Sequence, residues 1–253
     1  MIVRTDEERD ALRKAGKLLA EVLREVARMT KPGVTTAELD IAAERMIRER
    51  GAVPAFLNYQ PDDAPYPYPA ALCVSIDDVV VHGIPSEDRV IQEGELVMLD
   101  LGLSYNGYFS DAALTVCAGS CDERGAQLIK ATRDAFKAAM KVAKPGNRIG
   151  DISAAIDAVG RAGGWGVVEE LGGHALGTVP HEPPFVSNVG RAGEGEKLVE
   201  GLVLAIEPIF TEGSADVVLE PDQWAYRTRD GSRSAETEHT IIITSKGPEI
   251  LTA

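Results

Sequence analysis

An α/β (α+β) domain built from two similar lobes is the fold the sequence predicts, and three observations predict it. The turn Lys31-Pro32-Gly33 recurs as Lys144-Pro145-Gly146, and each copy closes one helical stretch and precedes another. The run Glu93-Gly94-Glu95-Leu96-Val97-Met98-Leu99-Asp100 is echoed by Glu200-Gly201-Leu202-Val203-Leu204-Ala205-Ile206-Glu207. In each copy Glu-Gly leads into an apolar strand and then a carboxylate. A repeated order of helix, helix and strand reads as an internal duplication, with the two sheets meeting at a pseudo-twofold axis. No linker-like segment separates the halves, so residues 1–253 are expected to form one domain, with lobes of about 1–120 and 121–253.

The elements follow in order. Thr5 and Glu8 make a Thr-x-x-Glu capping box, and Leu12, Ala15, Leu19, Leu23 and Val26 recur at helical spacing behind it. Lys31-Pro32-Gly33 stops that helix, because proline breaks the hydrogen-bond ladder and glycine suits a helix end. Thr35 and Glu38 form a second capping box and start a helix running to about Arg50. A loop rich in proline and tyrosine, Gln60 to Pro69, leads to short apolar runs such as Val79-Val80-Val81. In the second half a helix is expected from about Asp122 to Val142, and a shorter one from Asp151.

Composition narrows the classes. A net charge of −14 repels phosphate backbones and excludes nucleic acid as the default partner; it is compatible with a substrate carrying a cationic amino group, but a generally solvated acidic surface accounts for it first. No apolar stretch approaches the roughly 18 to 20 residues of a membrane helix. Residues Met1 to Asp10 are too charged for a signal peptide. Cys73, Cys117 and Cys121 are odd in number and lack metal-type spacing, which predicts reduced thiols in a cytoplasmic protein.

Four carboxylates stand where apolar strands end or run. Asp100 follows Leu96–Leu99, Glu207 follows Leu202–Ile206, Asp111 opens Ala112–Val116, and Glu238 precedes His239-Thr240-Ile241. Carboxylates beside core strands are costly to desolvate unless something offsets the charge. If the duplication places them in pairs, they converge at the lobe junction and require cations. Oxygen-rich ligation with an imidazole suits a two-ion centre. Of four histidines, His174 sits among glycines that let the backbone crowd a ligand, and His82 and His181 have glycine or proline neighbours. His239, inside a β run, reads as structural.

At this point the constellation resembles the methionine aminopeptidases of the pita-bread fold, in their short bacterial type I form. The motifs carrying the resemblance are Val81-His82-Gly83-Ile84-Pro85, Ala205-Ile206-Glu207-Pro208 and Glu236-Thr237-Glu238-His239-Thr240. With them go five ligand types in the family's order, Asp100, Asp111, His174, Glu207 and Glu238. The resemblance implies an antiparallel sheet flanked by helices and hydrolytic removal of N-terminal methionine. It implies two divalent ions, with manganese, iron(II), cobalt and zinc all acceptable to the ligand set. Asp100 would bind one ion, His174 and Glu207 the other, and Asp111 and Glu238 both. Glu207 would shuttle protons, His181 would stabilise the oxyanion and His82 would hold the substrate backbone. Tyr59, Tyr68, Cys73 and Trp224 match positions lining the methionine pocket. The implied partners are peptide or nascent-chain N-termini and, transiently, the ribosome, with the protein a cytoplasmic monomer that binds neither nucleic acid nor membrane. This chain departs from the family's pattern at Pro180 and Ala175.

Two other readings fit the same residues. An Xaa-Pro aminopeptidase or prolidase shares the fold and the ligand pattern. His181-Glu182-Pro183-Pro184 leans that way, whereas Ala112-Ala113-Leu114-Thr115 after the second aspartate leans against it. A non-catalytic binding protein of the same fold is disfavoured by the retention of all five ligand types.

Overall fold

The computed structural model describes residues 1–62 and 64–253; Asp63, within the predicted loop Gln60–Pro69, lies outside them. Helix α1 spans Asp6–Met29 and α2 spans Thr36–Glu49, each with the predicted capping box complete. In both boxes the threonine hydroxyl accepts the N–H of the glutamate three residues on, which satisfies donors left free by the first helical turn. Helix α3 covers Glu123–Val142, capped by Asp122, and α4 covers Ile149–Gly163. All five apolar residues predicted for the buried stripe of α1 are buried.

Helices α1 and α2 cover a sheet whose centre is the long hairpin Leu96–Tyr105 and Tyr108–Cys117, with Leu72–Ile76 and Val53–Pro54 on the other edge of its first strand. Helices α3 and α4 cover a five-stranded sheet ordered Gly247–Ile250, His239–Thr244, Val203–Ile206, Gly172–Ala175, Glu182–Ser187. Every pairing is antiparallel. The lobes interlock, since Val79–Val81 of the first half pairs with Tyr226–Thr228 of the second.

The duplication is visible bond by bond. Gly33 and Gly146 both take positive φ, +92° and +94°, where glycine alone escapes a steric penalty. The Gly33 N–H donates to Ile91 O at 2.9 Å, and the Gly146 N–H to Leu198 O at 3.1 Å. Gly94 donates to Ala118 O at 2.7 Å, as Gly201 donates to Ile243 O at 2.8 Å. These matches fix the correspondence along both hairpins. Asp100, opposite Ala113, corresponds to Glu207. Asp111, opposite Gly102, corresponds to Glu236, opposite Ile209. Ala113 itself corresponds to Glu238, and the Glu238 N–H donates to Ala113 O at 2.8 Å, so the pseudo-twofold axis passes between them.

The expectation of three reduced thiols is corrected here. Cys117 and Cys121 form a disulfide, while Cys73 is free and buried. The chain turns back directly after strand Tyr108–Cys117 and brings the two Cα atoms to 5.6 Å, within bonding range. Of the two glycines before His174, Gly172 lines the cavity at the lobe junction. A Cβ on Gly173 would lie 2.1 Å from Ala205 O, so Gly173 instead lets the His174 strand approach the neighbouring strand closely.

Candidate metal and substrate site

Asp100 and Asp111 sit within strands rather than at their ends. Because Asp100 lies opposite Ala113, and Asp111 is two residues from Ala113, pleating puts both carboxylates on one face of the hairpin. Glu207 stands immediately after strand Val203–Ile206, Glu238 immediately before His239–Thr244, and His174 within Gly172–Ala175. The junction of the lobes brings all five together. Ligand atoms of Asp100, Asp111 and Glu238 lie within 4.8 Å of one another, as do those of His174, Glu207 and Glu238. His181 also comes within that distance of Asp111 and His174. His174 Nε2 is 3.9 Å from Asp111 Oδ2.

The electrostatics of this cluster call for cations. Burial raises Asp100 to about 7, and burial together with the Asp100 charge raises Glu207 to about 8. Asp111 and Glu238 are pushed well above the carboxylate range, first by burial and then by the neighbouring carboxylates. Oδ1 of Asp100 and Oδ1 of Asp111 are buried without a hydrogen-bond partner among the described residues. Burial lowers His174 to about 4, which keeps its ring neutral at neutral pH. Its Nδ1 lies 3.1 Å from Ala175 O, an arrangement that places the proton on Nδ1 and leaves Nε2 facing the carboxylates as a donor to a metal. Carboxylate oxygens and one neutral imidazole nitrogen, converging with orphaned acceptors, fit divalent first-row metals.

The cluster forms the floor of a cavity of about 360 Å³. Tyr59, Tyr68, Cys73 and Trp224, the predicted pocket residues, all line it, as do His82 and His181. Tyr68 is 2% exposed, and its hydroxyl donates to Gly83 O at 3.0 Å. The Trp224 ring meets Tyr68 edge-on with centroids 5.1 Å apart. His181 stands between Tyr59 and His174, with ring centroids 5.2 Å and 4.3 Å away. His82 has φ +57°, a left-handed backbone that a non-glycine residue holds at a steric cost, and such strain collects at functional sites.

Phe56 and Phe185 also line the cavity and were not anticipated, because nothing in sequence separates them from ordinary core or surface phenylalanines. Glu236 belongs to the Glu236-Thr237-Glu238-His239-Thr240 motif, in which the resemblance assigns it no role. It is 1% exposed, and its Oε2 has no hydrogen-bond partner among the described residues. The expectation that the duplication places the four carboxylates in pairs holds for Asp100 with Glu207 but not for the other two, since the residue equivalent to Asp111 is Glu236. Glu238 joins the cluster because it lies on the axis and faces both halves.

The profile of metallopeptidase family M24 matches residues 10–245. The chain is 43% identical over 247 residues to the methionine aminopeptidase of Aquifex aeolicus, covering 96% of this chain and 95% of that one. It is 41% identical over 251 residues to methionine aminopeptidase 1 of Mycobacterium tuberculosis, covering 97% and 92%. The crystal structure of the Thermotoga maritima methionine aminopeptidase superposes with a TM-score of 0.95 at 40% identity, over 100% of this chain and 99% of that chain. The prolidase of Pyrococcus furiosus, at 23% identity and a TM-score of 0.76 over 65% of its length, shares the fold alone.

Proposed function

Because the chain belongs to metallopeptidase family M24 and has the methionine aminopeptidase activity of its full-length relatives, we propose a residue-by-residue division of labour for that reaction. Five side chains would hold two divalent ions: Asp100 would serve one, His174 and Glu207 the other, and Asp111 and Glu238 would be shared. The two ligand groups that share Glu238 support this reading. When bound, the ions polarise the scissile carbonyl and lower the pKa of an attacking water. Manganese, iron(II), cobalt and zinc all suit the donor set, and availability selects among them.

Glu207 takes a proton from the attacking water and hands it to the leaving amine. Burial and then the Asp100 charge raise its pKa to about 8, close to the working pH of a group that must both accept and release a proton. His181, beside Asp111 and His174, donates to the oxygen on which negative charge develops. His82, its backbone held in a left-handed conformation next to Trp224, binds the substrate backbone. Tyr59, Tyr68, Cys73 and Trp224 receive the methionine side chain, for which an apolar, aromatic wall is suited. The substrates are peptide and nascent-chain N-termini, and the protein acts as a cytoplasmic monomer in transient contact with the ribosome. The acidic field supports a cationic amino terminus as the group recognised.

The observation that carries the assignment is the convergence of all five ligand side chains at the lobe junction. Its test supplies the metal-free protein, with manganese(II) or cobalt(II) added back, with a Met-Ala-x peptide and an x-Pro peptide, followed by mass spectrometry. Release of methionine from the first alone, abolished by Glu207→Gln, is the expected result. Cleavage at the x-Pro bond, or unchanged turnover in Glu207→Gln, would overturn the proposal.

A further inference from the structure

The pseudo-twofold axis has two ends. At one lies the metal-ligand cluster. At the other, between α1 and α3, lies a second cavity of about 450 Å³, within the ~300–1,000 Å³ range of small-molecule sites. Strand alternation separates the two. Glu238 faces the cluster, while Thr237 and His239 on either side of it face the second cavity. Ala113, which accepts the Glu238 N–H, contributes to its floor.

The hydroxyls of the two threonines on this floor, Thr237 and Thr252, are already partnered. The hydroxyls of Thr132 and Thr237 share a hydrogen bond of 2.9 Å, and His239 Nδ1 lies 2.9 Å from Thr252 Oγ1. The walls are apolar, formed by Leu23, Leu114, Phe136 and Ile250. The rim is predominantly cationic: Arg24 from α1, with Arg133 and Lys137 from α3, line the cavity together with Ala253 and its terminal carboxylate, and no aspartate or glutamate side chain among the described residues does. Lys137 has Asp134 at 3.1 Å, but neither Arg24 nor Arg133 makes an ion pair or side-chain hydrogen bond among the described residues. In a chain of net charge −14 this is a local reversal of field, and its two arginines stand ready for an anion.

We propose that this cavity binds an amphipathic anion, a carboxylate or phosphate headgroup on an aliphatic body. Arg24, Arg133 and Lys137 hold the headgroup, and Leu23, Leu114, Phe136 and Ile250 pack the body. The site is separate from the catalytic cavity and does not depend on how the metal ligands divide their roles.

The test is titration calorimetry of the metal-loaded protein at low salt with decanoate, decyl phosphate and decanol, each below its aggregation concentration. Saturable binding of an anion at one site per chain is expected, with decanol weaker by about tenfold or more. The tighter of the two anions identifies the headgroup. The double variant Arg24→Glu with Arg133→Glu changes only exposed side chains. It is expected to keep its melting temperature and its methionine release while losing anion affinity by about tenfold or more. Decanol binding as tightly as the anions, absence of saturable anion binding, or full affinity retained by the folded double variant would each overturn the proposal. The last outcome would also reveal a headgroup sitting on the metal centre instead.

Discussion

Thr240 grips the backbone of Asp111 from across the lobe junction: its Oγ1 accepts the Asp111 N–H at 2.9 Å and donates to the Asp111 carbonyl at 2.7 Å. The duplication repeats the device, with Thr115 Oγ1 accepting the Glu236 N–H at 2.9 Å and donating to the Glu236 carbonyl at 3.0 Å. Each threonine thus holds a carboxylate-bearing strand of the other lobe, but only one of the two carboxylates belongs to the metal-ligand cluster.

That asymmetry makes a paired prediction. Thr240→Val and Thr115→Val should each cost about 1–3 kcal/mol of stability by leaving buried backbone groups unpaired. Only Thr240→Val should also weaken metal binding, by roughly tenfold or more, because it releases Asp111. Denaturation curves and metal titrations of both variants check this; equal metal affinities would remove the link between Thr240 and the centre.

Glu236 and Glu238 should part company on substitution. Burial, and then Glu207, Asp100 and Asp111, push the Glu236 carboxyl well upward, which favours its neutral form in the metal-free fold. Glu236→Gln should therefore preserve metal binding and stabilise the protein at alkaline pH, where the native residue is driven to ionise. Glu238→Gln should abolish binding of at least one ion. Metal stoichiometry of the two purified variants separates the cases.

The metal-free protein should lose stability as pH rises. Asp100 and Glu207 have folded-state values near 7 and 8, against ordinary values of 3.8 and 4.5. The folded state therefore binds more protons than the unfolded one. Their contribution is fully present below the ordinary values and is lost as pH climbs through 7 and then 8. Bound cations favour the ionised forms, so metal uptake should release protons and tighten over the same interval. Melting temperatures of metal-free and metal-loaded protein from pH ~5 to ~9 read this directly. A metal-free curve that rises across the range would contradict it.

His82 should show a trade between stability and activity. Its φ of +57° costs a non-glycine residue on the order of 1 kcal/mol or more, which His82→Gly relieves. The glycine variant should match or exceed the parent in melting temperature yet lose kcat/KM for methionyl peptides. Loss of stability without loss of turnover would assign His82 to packing.

Much of this architecture was legible in the sequence because its signals are local. A capping box satisfies free donors within one helical turn, so Thr5 with Glu8 and Thr35 with Glu38 announce their helices without tertiary context. Glycine at a positive-φ turn is equally local, and the repeated Lys-Pro-Gly stops revealed the duplication. Strand alternation puts Asp100 and Asp111 on one face, but only the register of their hairpin, set by folding, reveals it. Tertiary structure decided what depends on where two distant strands cross. The axis falls at Ala113 and Glu238, so Glu238 enters the cluster while Glu236, the equivalent of Asp111, does not. The Cys117–Cys121 disulfide, the role of Gly173 against Ala205 and the cationic cavity between α1 and α3 arise in the same way. Each depends on a distance or a close approach that folding sets, which neither residue type nor spacing along the chain encodes.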